Sequence, residues 1–144
     1  MELPAVRDLM TQDPVVIAAD VGIDVAIETM NASSVRRLPV VSETGRVVGI
    51  ITREDVRAAL PRGALHLAAN PEEPMPSVKD VMTTDVITIR PDDLLDRAAK
   101  LMLHRKVGGL PVVENIRLVG ILTESDIFRW VAGEWDQAGQ TRWK

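Results

Sequence analysis

The chain repeats itself, and that limits its possible folds more than any other property. Val35 to Asp55 reads VRRLPVVSETGRVVGIITRED, and Val107 to Asp126 reads VGGLPVVENIRLVGILTESD. Upstream, VRDLMT at Val6 and VKDVMT at Val78 open the two halves. Met10 and Met82 stand 72 positions apart and Asp55 and Asp126 stand 71 apart, so one residue is lost at the hairpin turn. Two copies that each fail to close a core bury their apolar faces against one another. The expectation is one domain of two halves, with repeats over 6–60 and 78–131, a connector over 61–77 and a tail over 132–144.

A compact chain of 144 residues buries roughly 68–70% of its unfolded surface, enough for a full core. Aromatics are only 3% of the residues, so Val, Ile, Leu, Ala and Met must fill that core, and β-branched side chains suit strands. The net charge of −4 leaves no electrostatic footprint for nucleic acid or an anionic membrane. Cysteine is absent, which removes disulfides and thiolate nucleophiles. His66 and His104 are too far apart in sequence to suggest a metal pair, and no metal site is expected. No apolar run reaches the length of a membrane span, and MELPAVRDLM lacks the pattern of a signal peptide, so a cytoplasmic protein is expected.

Each half reads as alternating strand and helix. In the first, Val15 to Ile17 is extended, and Asp20 is placed to cap a helix whose stripe is Ile23, Ala26, Ile27 and Met30. Leu38 to Val41 and Val47 to Ile51 form a hairpin about Glu43-Thr44-Gly45, the second strand apolar enough for burial on both faces. Gly49 interrupts it, as a glycine does where another backbone or a ligand comes close, at a bulge, or where packing alone requires it. Thr52 opens a helix that Pro61 ends. In the second half Ile87 to Ile89 is extended, Arg90-Pro91-Asp92 turns into a helix bearing Leu94, Leu95, Ala98, Leu101 and Met102, and Leu110 to Val113 and Leu118 to Leu122 are the strands. Pro61 to Ser77 is proline-rich and polar, hence a connector, and Leu65, Leu67 and Ala68 allow one helical turn in it. Trp130, Trp135 and Trp143 all fall in the last fifteen residues, either covering the core or anchoring a dimer or partner.

The signature that carries chemistry is GIITRED at Gly49 and GILTESD at Gly120. Thr52 with Asp55, and Thr123 with Asp126, have capping-box spacing, and one reading is that they only satisfy backbone amides. Aspartate is shorter than the usual glutamate, which leaves its carboxylate freer to face a cleft. There it can accept hydrogen bonds from a ribose diol, while the helix start and the threonine hydroxyl suit an anion. Val15, Ile17 and Ile50 in the first half, and Ile87, Ile89 and Ile121 in the second, can line a slot for a flat purine, or simply be core. Val48 and Val119 belong to the same set.

The doubled LPVV, the VGI(I/L)TxxD and the preceding VMT resemble the CBS domain family, named for the regulatory region of cystathionine beta-synthase. The resemblance covers about Val6 to Trp130. It implies an α/β (α+β) fold of two β-α-β-β-α CBS repeats, paired about a pseudo-twofold axis into one Bateman module that often forms a homodimer. It also implies adenosine-containing ligands such as AMP, ADP, ATP or S-adenosylmethionine as regulatory ligands, with no required cofactor. Asp55 and Asp126 would hold ribose, Thr52 and Thr123 would lie near phosphate or ribose, and Arg36 and Arg37 would contact phosphate. In the second half Gly108 and Gly109 replace those arginines, so the two sites are not expected to be equivalent. The arginine pair is equally open to a solvated or ion-paired role.

Three function classes follow. The first is a stand-alone regulatory module that signals to a protein partner in trans through conformational or dimer rearrangement. The second is a structural or dimerisation module with degenerate pockets. Catalysis is the third, and it is disfavoured because no nucleophile and base pair can be named.

Overall fold

The computed structural model describes residues 2–60 and 74–139, the last six as backbone only. His66, the turn proposed around Leu65, Trp143 and the side chain of Trp135 lie outside these residues. The elements in chain order are α1 (Val6–Leu9), β1 (Thr11–Gln12), β2 (Ile17–Ala18), α2 (Ile23–Ser33), β3 (Arg37–Val41), β4 (Val47–Thr52), α3 (Arg53–Ala59), α4 (Val78–Val81), α5 (Leu95–Arg105), β5 (Gly109–Glu114), β6 (Arg117–Thr123) and α6 (Glu124–Gly139). No helix among the described residues is long and apolar enough to cross a membrane.

The chain forms two compact units, and they do not follow the sequence repeats. One is Pro14–Val86; the other combines Met1–Asp13 with Ile87–Lys144. The lead-in VRDLMT, which opens the first repeat, therefore folds with the rest of the second, and VKDVMT folds with the rest of the first.

In the unit Pro14–Val86 the sheet order is β2-β3-β4, with β2 parallel to β3 and β3 antiparallel to β4. Its core holds Ile17, Ile23, Ala26, Met30, Leu38, Val40, Ile51, Val56 and, from α4, Val78. In the other unit the order is β1-β6-β5, all antiparallel, and Ile89 adds a parallel bridge to Val112. Val6, from α1, is fully buried there with Ile89, Ala98, Met102, Leu110, Val112 and Leu122. Aliphatic side chains thus make both cores, as an aromatic-poor composition requires.

The threonine that ends each lead-in completes a sheet edge. Thr11 pairs with Ile121, and Thr83 pairs with Ile50 through two backbone hydrogen bonds of 3.0 and 2.9 Å. The strand glycines permit this approach. A Cβ on Gly49 would collide with Sδ of Met82 and lie 3.1 Å from the Thr83 carbonyl oxygen, and one on Gly120 would meet Met10 and the Thr11 carbonyl oxygen at 2.9 Å. Of the readings open at Gly49, two are observed: another backbone comes close, and the strand bulges beside it, where the register shifts from Val40 opposite Gly49 to Val41 opposite Val47.

Three local expectations change. Strand β4 is not buried on both faces, because Val48 is 37% exposed while Gly49 and Ile51 are buried. Asp20 does not cap α2: its N-cap is Gly22, without a side-chain hydrogen bond, because the chain first bridges Gly22 to Ser77 of the exchanged lead-in. Arg90 and Asp93 do close the turn before α5, through Asp93 N to the Arg90 carbonyl at 3.1 Å and Arg90 N to Asp93 Oδ2 at 2.9 Å, but the N-cap is Leu94.

Candidate ligand site

Each threonine and aspartate pair stands where the last strand of its sheet turns into a helix. Side chains alternate across a strand, and the register of β3 and β4 places Leu38 opposite Ile51 and Val40 opposite Gly49, the first three of them in the core. The opposite face carries Arg37 across from Thr52 and Pro39 across from Ile50. In the other sheet Gly109 stands across from Thr123, and Pro111 across from Ile121.

Thr52 is the N-cap of α3. Its Oγ1 accepts from the Asp55 N–H at 3.1 Å, and its own N–H donates to Asp55 Oδ2 at 3.0 Å, a complete capping box. Asp126 closes a similar ring, with Oδ2 accepting from the Thr123 N–H at 2.9 Å and from the Thr123 hydroxyl at 3.1 Å. The shorter aspartate therefore makes the return bond after all, and neither carboxylate is left wholly free, contrary to the expectation from side-chain length. The cause is geometric: a carboxylate three residues into a helical first turn comes within bonding distance of the N-cap residue's N–H.

The remaining oxygens differ. Among the described residues no hydrogen bond or ion pair reaches Oδ1 of Asp55. Oδ1 of Asp126 accepts from Nη2 of Arg129 at 3.1 Å. The residue three positions after Asp55 is Ala58, which has nothing to offer.

Three arginines lie close in sequence or register to the first threonine and aspartate pair: Arg36, Arg37 and Arg53. Arg36 is exposed and Arg37 half-buried, and the Arg36 carbonyl accepts from the Arg53 N–H at 2.8 Å. Arg53 leans back, its Nη2 3.5 Å from the Val35 carbonyl. Sequence reasoning passed over Arg53, although the repeat held the signal: its counterpart is Glu124, a charge reversal at the same helical position. In the other unit the Glu124 N–H donates to the Gly108 carbonyl at 3.0 Å, so the backbone is conserved between the halves while the charge is not.

Of the proposed slot residues, Ile50 and Ile121 share a sheet face with their threonines. Ile17 and Ile89 are enclosed in the cores, 6% and 2% exposed. Val15 is exposed ahead of β2, and Ile87 is half-buried against its unit's core. No group of three or more potential metal ligands occurs among the described residues. Trp130 is half-buried.

The CBS domain profile matches residues 6–62 and again 78–133. The chain belongs to the CBS domain family. A CBS domain-containing protein of Dictyostelium discoideum is 38% identical over 128 residues, covering 85% of this chain and 87% of that protein. The CBS domain pair of protein MJ0100, solved in complex with 5′-methylthioadenosine and S-adenosyl-L-methionine, superposes with a TM-score of 0.78 at 31% identity, covering 92% of this chain and 99% of the other. CBSX2 in complex with AMP superposes with a TM-score of 0.76 at 29% identity, covering 90% and 97%. Other curated relatives are longer: this chain spans 48% of an uncharacterized protein of Methanocaldococcus jannaschii and 23% of its L-aspartate semialdehyde sulfurtransferase. In this chain the family profile accounts for both halves, as a tandem CBS pair of the α+β class.

Proposed function

We propose that this CBS pair is a regulatory module that binds an adenosine-containing ligand, and that Asp55 grips the ribose. The observation that carries this reading is the half-committed carboxylate. The capping box fixes Asp55 through Oδ2, while Oδ1, with two lone pairs, has no partner among the described residues. One oxygen of that kind accepts from both hydroxyls of a ribose diol, and its orientation is set before the ligand arrives, which lowers the cost of binding.

The other roles follow from the neighbours of Asp55. Thr52 stands across from Arg37, and Arg36 is exposed beside it, so a phosphate on the ribose gains charge-assisted hydrogen bonds. Ile50, on the same face, and the exposed Val15 supply apolar surface for adenine. In the other unit Asp126, Thr123, Ile121 and Ile87 would take the same roles without the arginines, suiting a less anionic ligand. The solved relatives with AMP and with 5′-methylthioadenosine and S-adenosyl-L-methionine support adenosine chemistry as the common element.

The chain is read as regulatory rather than catalytic, acting as a homodimer on a protein target in the cytoplasm. The enzymes among its relatives are several times its length, so their activities need not reside in the shared part. A ligand shifts such a module only by its differential affinity for two states. One observation favours a pure scaffold instead: both oxygens of Asp126 are already occupied within the protein.

A thermal-shift panel separates the two. With AMP, ADP, ATP or S-adenosylmethionine at a hundred times its dissociation constant, the midpoint should rise by a few degrees, about 2.7 kcal/mol. The rise should shrink in Asp55→Ala to what the second pocket alone supplies. No response from any ligand leaves the scaffold.

A further inference from the structure

We propose that Arg129 is a built-in competitor at Asp126: it occupies the oxygen a ribose would need, and so sets the second pocket to a lower affinity than the first. The proposal rests on the reading of these carboxylates as ribose acceptors and extends it to their ranking. Oδ2 of Asp126 is spent on Thr123, through the N–H and the hydroxyl, and Oδ1 on Nη2 of Arg129 at 3.1 Å. The homologous Asp55 keeps Oδ1 without a partner among the described residues, because Ala58 stands where Arg129 does.

The exposures make this a displaceable guard. The side chain of Asp126 is only 10% exposed, whereas that of Arg129 is 71% exposed. The guanidinium can swing into water without unburying anything, and an ion pair with one partner so exposed is weak and screened by salt. A ligand that takes Oδ1 must first break this pair. Gly108 and Gly109 add no compensating cation, so a phosphate on the ligand regains little there.

Adenosine is the probe, because it is uncharged and its own contacts are insensitive to ionic strength. Calorimetric titrations would use the wild type, Asp55→Ala to silence the first pocket, and Asp55→Ala with Arg129→Ala. In Asp55→Ala, adenosine should bind more weakly than in wild type and tighten as sodium chloride is raised. Removing Arg129 should tighten binding about threefold to fivefold and abolish the salt dependence, a signature that a merely structural arginine would not give. If Asp55→Ala unfolds for want of its cap, Asp55→Asn, which keeps an acceptor for the Thr52 N–H, takes its place. Unchanged or weaker binding on removing Arg129, or silence in both variants while wild type binds, overturns the guard alone. Failure of wild type to bind any adenosine ligand overturns the parent reading with it.

Discussion

Ile116 shows how much a single residue can work against its own fold. It sits at φ 63 beside Asn115 at φ 50, in the two-residue turn of the β5–β6 hairpin, where both positions of a type I′ turn need positive φ. The first hairpin meets the same demand with one more residue and Gly45 at φ 82, which is where the repeat loses its register. A left-handed conformation costs a residue with a Cβ about 1–2 kcal/mol. Glycine's extra unfolded-state entropy costs about 0.5–1 kcal/mol. Ile116 is 61% exposed and buries little, so Ile116→Gly should stabilise by roughly 0.5–1 kcal/mol. A chemical-denaturation midpoint that falls instead would show that the side chain packs more than its exposure indicates. The opposite result is expected at Gly49 and Gly120. There a methyl group must displace a methionine sulfur and crowd a backbone carbonyl, so alanine at either should cost about 1–3 kcal/mol, read by the same titration.

At the scale of elements, the exchanged lead-ins decide what a truncation does. Removing residues 2–13 takes Val6 out of the core of the unit built on the second repeat and strips β1 from the edge of β6. Lost burial of Val6 alone is worth roughly 1.5–3 kcal/mol. Hydrogen exchange should therefore quicken at Ile121 and its neighbours in β6, while β4 keeps its protection; faster exchange in β4 would mean that the lead-in serves its own repeat. Ser77 ties the other lead-in down, its hydroxyl donating to Asp80 Oδ2 at 2.7 Å and its N–H to the same oxygen at 3.1 Å. The hydroxyl bond, then the N–H bond, holds the Asp80 carboxyl below its ordinary value of 3.8. A depressed carboxyl contributes stability above its unfolded value and loses it as pH falls through the lowered one. The stability gap between wild type and Ser77→Ala should thus be full at neutral pH and close in acid, as acid-unfolding curves would record.

Seen as a whole molecule, the tandem architecture was legible because a doubled motif leaves few alternatives and strand periodicity marked β3, β4, β5 and β6. The exchange of lead-ins was not, because VRDLMT and VKDVMT are so alike that neither names its own partner; the packed structure does, with Val6 in one core and Val78 in the other. At the site, spacing identified Thr52, Asp55, Thr123 and Asp126 but not how their oxygens are shared. Whether a carboxylate is half or wholly committed depends on a side chain one helical turn further along, Ala58 or Arg129, which the motif does not include.

A crystal of the protein grown with AMP measures the ribose contact itself. The account predicts both ribose hydroxyls within about 3 Å of Asp55 Oδ1, the phosphate beside Arg36 or Arg37, and the Thr52 capping bonds still in place. AMP bound away from Asp55, or held there with its ribose hydroxyls turned to solvent, would contradict it.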